Sequence, residues 1–324
     1  MIRSALFAAA SVAAIAFSAV PARAWDPLGH MLVGQIAYDN LTPAAKAGVD
    51  AAIARFNAKE KADAPYTFVT SACWMDDIRS SSDPKMKAYA PWHYVTLPYT
   101  PDGMPVPDAS AGPNVVLGVE KTTDILNGKA ADPDIDKDQA LVMLLHLTGD
   151  IHQPLHTTNR NDDAGGNKVK TANLKDPLAD LIFSKGGNLH FFWDSAYRRV
   201  YQDGKATVTF EAPLYDRAKP VAGHDAAAAL VREQATALQK KFPESVVKEQ
   251  GDALSWAKES HALGYKLGYE DLPPVSADQP VTLPESYVTN AHEAAELRVA
   301  TAGYRMANVL NALYANAATP APAK

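Results

Sequence analysis

Twice in this chain a histidine and an aspartate stand four residues apart within a largely apolar or aromatic stretch. "LLHLTGD" carries His146 and Asp150, and "LHFFWD" carries His190 and Asp194. On a helix, positions i and i+4 share a face, so each pair aims an imidazole and a carboxylate at one point. Apolar surroundings make either group costly to bury without a partner. One such pair is an ordinary helix contact, whereas two in one chain point to bound metal. The fold must therefore be one in which helices bring buried polar faces together.

Other residues extend the set. Pro154 ends or bends the helix after Asp150, so that His156 faces a different centre from His146. His152 lies off that face and is the weaker ligand candidate. Upstream, "CWMDDIRS" offers Asp76, Asp77 and Arg79, and "PWHYV" offers His93 between aromatic residues. Nitrogen and oxygen donors from separate elements suit zinc. Cys73 is the only cysteine, which excludes a thiolate zinc finger and any internal disulfide. His224, His261 and His292 sit in polar or alanine-rich helical sequence and read as surface or packing residues.

The start of the chain has its own chemistry. "MIRSALFAAASVAAIAFSAVPARA" combines Arg3, an apolar run from Ala5 to Val20 and an Ala22-x-Ala24 ending, the pattern of a secretory signal cut after Ala24. Cleavage makes Trp25 the first mature residue and places the protein outside the cell or in a periplasm. The full chain carries 31 Lys+Arg against 37 Asp+Glu, a net charge of -6; losing Arg3 and Arg23 with the leader takes it to -8. An acidic chain lacks the electrostatic footprint of a protein that coats nucleic acid; if it handles phosphodiesters, the positive charge is expected from bound metal. No later run is long enough to span a bilayer, and no stable membrane association is expected.

The remaining sequence predicts a mainly α fold with long loops. Helices are expected from Gly29, after Thr42-Pro43, between an Asn114 cap and Gly128, and through "DKDQALVMLLHLTGDIHQ". Three more follow in "HDAAAALVREQATALQKKF", "DALSWAKESHALGYKLG" and the stretch from Asn290. Only "KATVTF", at 205 to 210, reads as a strand, which allows at most a short β-hairpin. Pro- and Gly-rich stretches at 98 to 113 and 160 to 188 read as loops. The expected organisation is a leader at 1–24, a single domain at 25–318 and a flexible tail at 319–324, probed as a monomer.

Assembled, these pieces resemble the zinc-dependent single-strand-specific nucleases of the mung bean and plant bifunctional type, which share a fold with bacterial zinc-dependent phospholipases C. The motifs that carry the resemblance are "WDPLGH", "WMDDIR", "WHYV", "HLTGDIHQPLH", the "GGN" at 165 to 167, "GGNLHFFWD" and "AGYRMANVLN". They run from Trp25 to Asn311. The resemblance implies a helical phospholipase C/nuclease-like fold holding three zinc ions. It assigns Asp76, His93, His146 and Asp150 to the first ion, and His156, His190 and Asp194 to the second. The third takes the amine and carbonyl of Trp25, His30 and again Asp150. Asp76 is preferred to Asp77 because Trp74, Asp76 and Arg79 fit the family's Trp-x-Asp-x-x-Arg register.

The activity so implied is hydrolysis of single-stranded DNA and RNA to 5′-phosphates, with 3′-nucleotidase activity alongside it. Asp76 and Arg79 act in catalysis, Arg79 by neutralising charge on the phosphate oxygens. Tyr94 offers a platform for an unstacked base. Thr96 stands where relatives that hydrogen-bond the base often have a carboxylate, and Asn167 belongs to the GGN turn; both are candidate substrate contacts. A phospholipase C is the alternative. His30 near the mature start, and Asp194 where those lipases resemble one another in using Glu, argue against it. A non-catalytic zinc protein is disfavoured by the complete donor set together with Arg79.

Overall fold

Helices carry the fold, and most begin where the sequence places a cap. In the computed structural model, residues 25–60, 65–80, 84–97, 112–161, 163–177, 187–210, 220–247, 249–276 and 279–315 are described. The expected leader and tail, and most of the Pro- and Gly-rich stretch at 98 to 113, lie outside them. Helix α1 (Pro27–Asp39) is capped by Asp26, whose carboxylate accepts the Gly29 N–H at 3.0 Å. Next come α2 (Pro43–Glu60), with Thr42 accepting from Ala45 N–H, and the short α3 (Phe68–Ser71), α4 (Trp74–Asp77) and α5 (Pro84–Ala88). Asn114 caps α6 (Val115–Leu126) and Asp136 caps α7 (Lys137–Asp150). Further on lie α8 (Leu189–Asp194), α9 (Pro220–Lys241), α10 (Ala253–Leu263) and the 30-residue α11 (Glu285–Tyr314). Past Leu263 the chain continues in a wider π winding over Gly264–Glu270.

Strand content is small, as the sequence predicts. β1 (Lys170–Thr171) pairs antiparallel with β3 (Gly187–Asn188), and β2 (Leu174–Lys175) runs parallel to β5 (Lys205–Val208). β4 (Arg199–Gln202) and β5 form an antiparallel hairpin that takes up the predicted strand at 205 to 210. β3 feeds directly into α8, where Asn188 accepts the Phe191 N–H at 2.7 Å and so fixes where the "HFFWD" turn begins.

Two apolar clusters form the core. The first gathers residues of α2, α6 and α7; the second gathers the first half of α1, α8, part of α9 and most of α11. α1 and α11 pass through both, with Ile36 and Val299 in the second and Ala37 and Met306 in the first. They cross at Gly303, where a Cβ would stand 2.6 Å from the Ile36 Cβ and 3.1 Å from the Val33 carbonyl. Only glycine permits that approach, which seats α1 deep enough to bring His30 toward α7. α7 belongs to the first cluster and α8 to the second, so the two His-Asp helices meet across the middle of the core.

A buried ionic network ties the start of α1 to the residues after α8. Asp26 accepts from Tyr197 Oη at 2.6 Å and from Arg198 Nε at 2.8 Å, while Arg199 Nη2 reaches Asp176 at 2.9 Å. All five residues of this network are under a tenth exposed. Burial of paired charges costs desolvation that only tight pairing offsets, so the network fixes geometry more than it adds stability.

Candidate metal centre

α1 brings His30, α4 brings Asp76, and a tight turn at Ala90–His93 brings His93. α7 supplies His146 and Asp150, the turn Pro154–His156 supplies His156, and α8 supplies His190 and Asp194. Three groups of donor atoms converge: His30, Asp76 and His146; His93, His146 and Asp150; and His156, His190 and Asp194, with the atoms of each group within 4.8 Å of one another. Both pairs recognised at i and i+4 therefore face metal-sized spaces, and the structure brings His156 to the second pair, as Pro154 predicted.

Ring tautomers follow from what each Nδ1 touches. His146 Nδ1 lies 2.6 Å from the Ala72 carbonyl, His156 Nδ1 2.5 Å from the His93 carbonyl, and His190 Nδ1 2.7 Å from the Gly165 carbonyl. A carbonyl only accepts, so each Nδ1 carries the hydrogen. Each Nε2 is left with its lone pair turned inward, the arrangement that orients metal-binding imidazoles. His93 is the reverse case: its Nδ1 faces inward, 3.0 Å from Asp150 Oδ2 and 3.9 Å from Asp76 Oδ1.

Without a cation this arrangement is poorly satisfied. His146 Nε2 meets His93 Nδ1 at 3.0 Å, and His190 Nε2 meets His156 Nε2 at 3.1 Å, so each nitrogen pair has at most one proton to share. Both nitrogens of His30 and both oxygens of Asp150 are buried with no hydrogen bond of acceptable geometry, although His30 Nε2 is 3.4 Å from Asp150 Oδ1. Burial, reinforced by Asp26, Asp76 and Asp150, pushes the Asp194 carboxyl well above its usual range. Burial pushes His30 down to about 3 and His93 to about 4, keeping both imidazoles neutral. Burial would also raise Asp150, but the neighbouring His146 and His93 outweigh it and hold the carboxylate charged. Neutral His30 and His93 beside an ionised Asp150 suit a divalent metal, and a cation there would also offset the burial that holds Asp194 protonated, so the residues fit the group.

Neighbouring side chains sort themselves by direction. Asp76 turns toward His93 and accepts from Arg79 Nη1 at 3.1 Å, whereas Asp77 accepts from Tyr66 Oη at 2.9 Å. The register preference for Asp76 agrees with this geometry. His152 faces away from the donors: its Nδ1 donates to the Thr148 carbonyl at 2.8 Å and its Nε2 accepts from Arg305 at 3.1 Å. Tyr94 is 41% exposed and Thr96 is exposed two residues on, so both face outward beside His93. Asn167 is half-buried, its amide donating to the Ala164 carbonyl at 2.8 Å. Trp25 is wholly buried with its indole N–H on the Gly149 carbonyl at 2.9 Å, while Asp26 N–H donates to the Asp194 carbonyl at 2.9 Å.

Gly149 explains why Trp25 and His30 can close together on the last turn of α7. A Cβ there would lie 2.9 Å from His30 Nδ1 and 3.6 Å from the Trp25 ring. His261 Nδ1 donates to the Thr157 carbonyl at 3.0 Å and His292 Nδ1 to the Ala196 carbonyl at 3.1 Å, both as packing contacts. The side chain of His224 lies outside the described residues.

The family model for S1/P1 nuclease matches residues 25–315. The chain belongs to the S1/P1 nuclease family. Endonuclease 2 of Arabidopsis thaliana is 26% identical over 204 residues, and the chain spans about 60% of the length of that curated relative. In this S1/P1 nuclease chain the residue-level reading passed over Gln153. Its Nε2 donates to Asp194 Oδ1 at 2.7 Å and its Oε1 accepts the Leu155 N–H at 2.5 Å, so it holds a donor carboxylate and shapes the turn before His156. A polar residue fixed between His152 and Pro154 was the only signal. Asp26, Arg198 and Asp176 were also missed, since their partners lie up to 172 residues away in sequence.

Proposed function

We propose that the mature chain is an exported, zinc-dependent nuclease that cleaves single-stranded DNA and RNA to 5′-phosphate products, with 3′-nucleotidase activity on the same site. The observation that carries this is the pair of inward-facing nitrogen contacts, His146 with His93 and His190 with His156, at 3.0 and 3.1 Å, each beside a buried aspartate. They favour metals held side by side. Three zinc ions would be held by Asp76, His93, His146 and Asp150; by His156, His190 and Asp194; and by Trp25, His30 and Asp150. Bound there, zinc supplies Lewis acidity and a water of lowered pKa.

The chain's own groups account for the rest. Arg79 keeps one N–H on Asp76 and is 14% exposed, so its remaining donors are placed to meet the non-bridging oxygens of a phosphate. Asp76 holds both that guanidinium and the donor cluster in one geometry. Tyr94, exposed beside His93, gives an unstacked base a ring to lie on, which duplex DNA cannot use without opening. Thr96, exposed two residues past Tyr94, and Asn167, half-buried in the turn whose Gly165 carbonyl orients His190, are the candidate polar contacts to substrate.

The test pairs metal analysis of processed protein with three substrates. Three zinc ions per chain, an N-terminus at Trp25 and faster release of acid-soluble nucleotides from denatured than from duplex DNA are expected. Hydrolysis of phosphatidylcholine in place of DNA would instead establish the phospholipase alternative.

A further inference from the structure

We propose that Arg160 binds a backbone phosphate next to the scissile one, so that the enzyme grips a strand at two phosphates. This rests on the phosphodiesterase reading above. Among the described residues, every arginine except Arg160 and Arg232 lies against a carboxylate. Arg232 is exposed on α9, but Arg160 is half-buried and held. Its guanidinium carbon sits 4.7 Å from the centre of the Tyr269 ring, and Tyr269 is 3% exposed. A guanidinium laid over an aromatic face is partly stripped of water while its in-plane N–H groups stay available for a planar or tetrahedral anion.

The loop that carries it is pinned. Asp163 Oδ1 accepts from Arg160 N–H at 3.2 Å, Gly166 N–H at 3.0 Å and Tyr269 Oη at 2.9 Å. Asn161 and Ala164 take positive φ, 50° and 57°; asparagine tolerates this region, but alanine enters it only where the surroundings impose it. Such strain at a loop is a reason to look for function there.

Its two ends place the loop beside the donors. At the start, the His156 carbonyl accepts Val95 N–H at 2.9 Å and Asn159 N–H donates to the Leu97 carbonyl at 2.9 Å, so residues 156–159 run along the segment bearing Tyr94 and Thr96. At the far end, the Gly165 carbonyl orients His190. Arg160 thus stands between base ledge and second donor group, a half-buried guanidinium with no carboxylate against it, in a chain whose net charge is -6. The chemistry it recognises is a phosphodiester monoanion one nucleotide from the cut.

A dinucleoside monophosphate has only the scissile phosphate, whereas an oligothymidylate has flanking ones. For Arg160→Ala, kcat/KM on the oligonucleotide relative to the dinucleoside monophosphate should fall about tenfold through KM, the size of one charge-assisted contact. The slope of log kcat/KM against log salt on the oligonucleotide should flatten by about 0.7. Arg160→Lys should keep the salt slope and lose part of the ratio, and Arg232→Ala should match wild type. An unchanged ratio and salt slope in Arg160→Ala, or an equal fall on both substrates, overturns the proposal. Wild-type enzyme that cleaves neither substrate overturns the phosphodiesterase reading itself.

Discussion

One ring hydrogen on each of His146, His156 and His190 decides what the other nitrogen offers, and three backbone carbonyls place those hydrogens. The centre is therefore sensitive to changes that move a ring without touching a donor. Gly149→Ala places a methyl 2.9 Å from His30 Nδ1. We expect it to lower zinc content below that of wild type and to cut kcat/KM at least tenfold, with the fold destabilised by about 1–3 kcal/mol of overpacking; full zinc content by metal analysis would refute this. His152 gives a second, independent prediction. Burial, then Arg298 and Arg305, hold its pKa well below 6.5 in the fold. Between that depressed value and 6.5 the unfolded chain binds a proton that the native state refuses, so this group's contribution is present above pH 6.5 and is lost as pH falls below it. His152→Gln should lose less melting temperature than wild type between pH 7 and pH 5 at matched zinc, and parallel curves would count against the assignment.

At the scale of elements, the joints matter more than the helices. Asp26 both caps α1 and neutralises the buried Arg198. Asp26→Asn keeps the cap but removes the nearer of Arg198's two carboxylates, leaving Asp176 at 3.4 Å, so denaturant unfolding should show a loss of about 3 kcal/mol, the lower end for a broken buried pair. A loss under 1 kcal/mol would mean the network relaxes around the change. The limits of sequence are visible at the same joints. The pairs His146–Asp150 and His190–Asp194 were legible because the helical repeat puts both members on one face. Pro154 announced the turn to His156, and Thr42-Pro43 and Asn114 announced helix starts. His30, by contrast, is one polar residue in an apolar helix, and only the resemblance marked it. Arg160 stacks on Tyr269 across 109 positions and Asp26 meets Arg198 across 172. No local periodicity encodes such contacts, which arise when separately folded elements dock.

For the whole molecule, the donor-rich seam lies between two apolar clusters, so its occupancy and the stability of the fold are linked. Stripping zinc with a chelator should lower stability by several kcal/mol, because binding energy available only to the native state adds to folding. An unchanged melting temperature after verified removal would contradict it. Burial opposes protonation of His146, but Asp150 and Asp76 outweigh burial and raise its pKa, so a proton and a cation compete for the same inward-facing nitrogen. Metal affinity should therefore weaken as pH falls, with protons released on uptake. Calorimetric titration in two buffers of different ionisation enthalpy should show proton release; identical heats would exclude it.

Cys73, single and buried with its Sγ on the Pro27 carbonyl, has one further consequence. A reductant finds no crosslink to cut in this chain. Inactivation by dithiothreitol would therefore measure competition for metal rather than damage to the fold, and added zinc should reverse it. The same absence means that forming a disulfide is no part of folding here, so the redox state of the compartment does not itself decide whether this chain folds.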